Sequence, residues 1–183
     1  MKKISKGLWL VCASSLFILL ACDKNIESSV VAEKKQMDID IMGAEKLSPT
    51  TRMELSEARS ATAKYHDIAV AIEDGYMDIG LYLPYMGHHY LKGPVDNVFD
   101  HQAPEILVYQ KHPVTGKMKL VAVEYISAHE DENNQPLPPP EGFTGDDDIW
   151  VLYQGVGPWA LHAWIWYDNP DGVFNGMNAK LPQ

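Results

Sequence analysis

Thiols are missing from everything downstream of residue 22. The 183-residue chain has two cysteines, Cys12 and Cys22, and both fall in or directly after its first apolar run. Residues 23–183 therefore offer no disulfide, no zinc–thiolate centre and no cysteine nucleophile. Serine is almost as scarce, because past Ser60 only Ser127 remains. There is no G-x-S-x-G turn and no glycine-rich phosphate loop, which argues against a serine hydrolase or a nucleotide site of the usual kinds. Positive charge is short too. Fifteen Lys and Arg stand against 25 Asp and Glu, giving a formal charge of −10. Such a surface disfavours nucleic acid and electrostatic docking on anionic lipid heads.

What is present begins with Lys2, Lys3 and Lys6, followed by the apolar run LWLVCASSLFILL. That run is too short to serve as a mature membrane-spanning helix and reads as the core of a signal peptide covering residues 1–21. It ends in Leu19-Leu20-Ala21-Cys22, which resembles the lipobox of bacterial lipoproteins. On that reading Cys22 becomes the lipidated N-terminus and holds the protein to the membrane. The plainer alternative is a secreted protein cut after Ala21. Loss of the three lysines takes the formal charge from −10 to −13. Residues 22–50 show no sustained period and read as a lipidated flexible tether with a reach of roughly 30 Å. The expected location is the bacterial cell envelope, lipid-anchored and facing the periplasm. Asp23 resembles an inner-membrane retention signal, with the choice of membrane left open.

Residues 51–183 read as one globular domain of α+β class. A domain of this size buries roughly two-thirds of its unfolded surface, enough to stand without disulfides. Ala58, Ala61, Tyr65, Ile68, Ala69 and Ile72 recur at helical spacing. They predict one long N-terminal helix over 51–74, capped by Thr50 or Thr51 and ended by Gly75. Six segments rich in Val, Ile, Tyr and Trp follow, at 79–83, 86–91, 105–110, 117–127, 149–154 and 159–167. An antiparallel sheet of about five or six strands carrying the helix is expected, with a small β-barrel as the alternative. Residues 128–148 form a long acidic, proline-rich segment of the kind used as a lid, a binding loop or a disordered excursion.

The chemistry is expected on the strands. In WALHAWIWY (159–167) His162 sits amid apolar residues on both strand faces, so it is buried and needs a partner. In YMGHHY the adjacent His88 and His89 point oppositely, so one of them faces inward. Glu105 and Glu124 share a sheet face if the hairpin between them keeps even register, and a bulge separates them. One of His88 or His89, with Glu105, Glu124 or both, and His162, is a ligand set suited to a divalent metal such as Zn, Fe, Mn or Cu. The alternatives are a buried His–Glu pair without metal, or a core histidine bonded to a carbonyl beside solvated glutamates. GDDDIW lacks the alternating ligands of a calcium loop and reads as solvated. Met77, Met86 and Met118 read as core filler rather than a copper site.

The segments DGY, MGHHY, PEILVY, LVAVEY, LHAWIW and NPDGVFNGMN occur in that order. As a set they resemble a family of secreted or lipid-anchored bacterial proteins over roughly residues 55–182. The resemblance associates Gly87 and His88 with the first motif histidine and His162 with the last strand, and so favours His88 as the inward ligand. It names no reaction, and the acidic insert around 130–148 departs from it. The expected function is a membrane-anchored lipoprotein with a buried His/Glu site for a divalent metal or a small polar ligand. Whether it is an enzyme stays open; metal-activated water or metal-assisted oxidation would be its chemistry. The alternative is a non-catalytic lipoprotein that binds a protein partner or carbohydrate through the acidic loop and an aromatic groove. Sugar cleavage by paired Glu105 and Glu124 is a weaker third.

Overall fold

The computed structural model describes residues 44–95, 97–153 and 157–182. The expected signal peptide, the lipid site at Cys22 and the tether up to residue 43 lie outside the described residues. From Ala44 onward the chain is packed rather than trailing. Ala44–Lys46 form a 3-10 turn, and Ala44 is buried in the main core.

Ser48 starts helix α1 (Pro49–Thr62), its Oγ accepting from the Thr51 amide at 3.1 Å. Pro49 stands in the first turn, where a missing N–H goes unnoticed. The cap thus falls just before the expected Thr50 or Thr51. The continuous helix over 51–74 is not formed. Thr62 donates back to the Ala58 carbonyl at 2.8 Å, an alternative to regular helix bonding. A 3-10 turn, Ala63–His66, follows. Asp67 then leaves the helical region (φ −89°, ψ 106°) and caps α2 (Ile68–Glu73) by accepting from the Ala69 amide at 3.0 Å. The break rotates the second half of the stripe. Leu55, Ala58, Tyr65 and Ala71 are buried, whereas Ile72 is 56% exposed.

The strands are β1 (Met77–Leu83), β2 (Gly87–Leu91), β3 (Ile106–Lys111), β4 (Met118–Ser127), β5 (Trp150–Leu152) and β6 (Trp159–Ala163). They form one antiparallel sheet in the order β1-β2-β3-β4-β6-β5. The α+β expectation with six strands therefore holds. The sheet is open, with β1 and β5 as its edges, so the barrel alternative is not formed.

The helical segments cover one face. Leu55, Ala58, Tyr65 and Ala71 pack with Leu107, Tyr109, Val123, Tyr125 and Leu161. Tyrosine hydroxyls inside this core are satisfied: Tyr109 donates to the Tyr65 carbonyl and Tyr125 to the His101 carbonyl, each at 2.7 Å. The end of the acidic segment is pinned here as well. Phe143 is buried against Phe99, Tyr125 and Phe174, and the Thr144 amide donates to Glu54 at 2.7 Å. That end is part of the fold.

Two irregularities shape the opposite face, and the first decides which polar residues of β4 it receives. Val108 pairs with Ala122 but Tyr109 pairs with Leu120, so Val121 is an extra residue in β4. Leu120 therefore joins the helix-covered core, while Ala122 and Glu124 take the other face. In β1 the residues Ile79, Gly80 and Leu81 stand opposite the single His89, with Gly80 at φ 70°.

Candidate functional site

His89 reaches the site through backbone that only glycine permits. Gly87 has φ 121°, and a Cβ on it would lie 2.7 Å from the Tyr109 carbonyl oxygen. Glycine lets β2 come this close to β3. In the resulting register His89 pairs with Val108, and His88 pairs with Tyr109 of the helix-covered face. His89 is therefore the inward residue, at 1% exposure. His88 is half-buried against the Tyr82 ring at 4.8 Å between centroids. The preference for His88 is thus reversed, because strand parity follows the register and not the motif.

The His89 Nδ1 lies 3.2 Å from the Leu81 carbonyl oxygen. A carbonyl only accepts, so Nδ1 carries the proton and Nε2 presents its lone pair. That Nε2 is 3.6 Å from Oε2 of Glu124, close but beyond hydrogen-bond length. Burial pulls the His89 imidazole below its usual range. The β1 bulge supplies the Leu81 carbonyl. Sequence reading missed that partner, although a lone glycine inside a strand pattern, here Gly80, is its signal.

Glu124 sits mid-strand in β4, 7% exposed, with Ile106 on one side and His162 on the other. Burial pushes its carboxyl up from 4.5 to about 7. His162, in β6, is 3% exposed. Its two ring nitrogens are buried and have no hydrogen-bond partner among the described residues. Its ring lies 4.6 Å from that of Trp164. Burial first, and repulsion from His89 second, pull its pKa from 6.5 down to about 3. The imidazole is neutral at any physiological pH.

Glu105 does not join this group. It precedes β3, and its carboxylate accepts from the Ile126 amide at 3.1 Å. Ile106 is the residue that pairs with Glu124, so alternation sends Glu105 away from it. The Val121 bulge is the cause, and it leaves no carboxylate pair for sugar cleavage. The structure thus brings together His89, Glu124 and His162 and separates them from His88 and Glu105. Among the described residues no three His, Cys, Asp or Glu side chains form a ready-made metal cage.

Two hollows flank Glu124 on this open face. One, of about 280 Å³, is lined by Met86, Val151, His162, Phe174 and Met177. The other, of about 260 Å³, is lined by Leu81, His89, Leu91, Ile106 and Pro158. Both include Glu124, Tyr153 and Ala160, so together they form a trough across the sheet with the carboxyl at its middle. Among the described residues no Lys, Arg, Ser or Thr lines either hollow. The trough can hold a largely apolar molecule by one polar group. Compared with protein-family models, curated proteins and solved structures, the chain matches none.

Proposed function

We propose that this is a lipid-anchored envelope protein, tethered through Cys22 and facing the periplasm, whose open sheet face binds a small ligand at His89, Glu124 and His162. The observation that carries the reading is His162: nearly fully buried, on the wall of a hollow, with neither nitrogen bonded by any described residue. A buried polar group left unsatisfied costs about 1–3 kcal/mol, and proteins keep such groups where a ligand completes them. Glu124 beside it is a second buried polar group, and the His89 Nε2 stands 3.6 Å from its Oε2, beyond hydrogen-bond length. The lipid anchor rests on the residues around Ala21 and Cys22, and the acidic surface leaves attachment to the lipid alone.

The test is native mass spectrometry with elemental analysis on the chain isolated without chelator, beside His162→Ala. The expected result is a near-stoichiometric organic adduct in the wild type that is lost from the variant. Zn, Fe, Mn or Cu in its place, lost in the same way, would make the ligand a divalent metal. Two bare chains of equal stability would overturn the reading and leave His162 as a core residue. Partner capture through the acidic segment would then be the better account.

A further inference from the structure

Tyr153 and Asn175 also line the trough, but the three buried polar side chains of its floor, His89, Glu124 and His162, offer mainly acceptors. Above about pH 7 Glu124 is ionised and offers carboxylate oxygens. His89 offers the Nε2 lone pair, because its Nδ1 proton is held by the Leu81 carbonyl. His162, neutral, offers one further lone pair and a single N–H. Among the described residues no Lys or Arg lines either hollow. A carboxylate or phosphate ligand would set a second negative charge beside an ionised Glu124, with no Lys or Arg among the described lining residues. An alcohol would supply one donor to three acceptors.

A positively charged donor is what this floor lacks. A bare metal ion would supply the charge but leave the walls wet, since Met86, Val151, Phe174 and Met177 on one side and Leu81, Leu91 and Ile106 on the other call for an apolar body. Aromatic and thioether walls also tolerate a cation better than aliphatic ones do. The formal charge of −10 adds a field that draws cations toward the molecule.

We propose that the ligand is a primary organic ammonium, an alkylamine or arylalkylamine, with its charged nitrogen at Glu124 and its apolar body in a flanking hollow. This rests on the small-ligand reading above and names its chemical class. The three N–H donors of the ammonium meet the Glu124 carboxylate, the His89 Nε2 and the free nitrogen of His162. Binding replaces an unpaired buried carboxyl with a charge-assisted pair.

Calorimetric titration of the full chain at pH 7.5 with n-hexylammonium, n-hexanol, n-hexanoate and zinc chloride tests the assignment. Hexylammonium is expected to bind at least tenfold tighter than hexanol and to leave hexanoate behind altogether. Glu124→Gln is expected to lose at least tenfold for the amine and little for hexanol, while Glu124→Asp keeps the preference. Hexanol or hexanoate binding as well as the amine would overturn the ammonium assignment and leave the small-ligand reading standing. Zinc binding alone would do the same in favour of a metal. No binding by any of the four would sink both readings, and an amine affinity unchanged in Glu124→Gln would place the amine elsewhere.

Discussion

His162 carries two buried nitrogens that no described residue satisfies, and that arrangement weakens the ligand-free fold. Phenylalanine has nearly the same shape and no polar atom. His162→Phe is therefore expected to raise the urea midpoint of the ligand-free chain, by roughly 1 kcal/mol, while abolishing ligand binding. A lower midpoint would mean that the imidazole is already satisfied. Glu124 makes a prediction of opposite kind. Its carboxyl keeps its proton to about pH 7 in the fold but releases it near 4.5 in the unfolded chain. Between those values the folded state holds more protons, so this group's contribution falls as pH rises through the window. His162 behaves in reverse: it takes no proton in the fold until about pH 3, against 6.5 unfolded, so stability is lost on acidification. The two slopes oppose each other through the mildly acidic range. Glu124→Gln removes the falling one. Relative to the wild type, the variant should gain up to about 3 kcal/mol between pH 4.5 and 7 and change little above that. Urea titrations at pH 4, 5, 6, 7 and 8 measure the difference, and a constant offset across the series would refute it.

Strand and turn geometry decides whether those residues meet at all. Gly87→Ala puts a Cβ 2.7 Å from the Tyr109 carbonyl oxygen at a φ of 121°. The backbone must either carry the strain or part β2 from β3. A loss of about 3 kcal/mol is expected, together with a loss of ligand affinity as His89 moves. Thermal denaturation would show it, and a melting temperature within a degree of wild type would contradict it. The same scale explains what the sequence made legible. All six strands were readable, because Val, Ile, Tyr and Trp cluster between Pro, Gly and Asn breaks. His162 and Glu124 were readable as buried polar residues, since each sits in an apolar run. The choice of His89 over His88 was not, nor was the departure of Glu105. The departure of Glu105 depends on the one-residue shift at Val121, which moves the rest of β4 to the other face, and the choice of His89 depends on the β2–β3 register that Gly87 permits. The break in the helix was hidden for a related reason. Asp67 looks like one polar residue off an alanine stripe, but its side chain caps a new helix.

Across the whole molecule, the helix-covered face makes most of the core, and the other face, partly covered by Trp164 and Leu181, makes the site. The first half of that division extends further toward the N-terminus than composition suggests. Ala44 and Leu47 pack on the main core, Ser48 caps α1, and Thr51 bonds the Thr144 carbonyl at 2.5 Å. This last bond joins the start of the helix to the acidic segment that carries Phe143. A chain starting at Thr51 lacks the cap and the packing of Ala44 and Leu47, whereas one starting at Ala44 keeps both. The shorter chain is expected to be less stable by about 2 kcal/mol, or roughly 5–8 °C in melting temperature. Phe143 would loosen with it, so the acidic segment should become the first site of protease cleavage in the shorter chain only. Equal melting temperatures and equal cleavage would show that the fold begins at α1 itself. The trough reads out both parts: His89, Glu124 and His162 stand on β2, β4 and β6 and should keep their places below the new melting temperature, whereas Phe174, which packs on Phe143 and walls one hollow, should loosen and weaken binding of the apolar body.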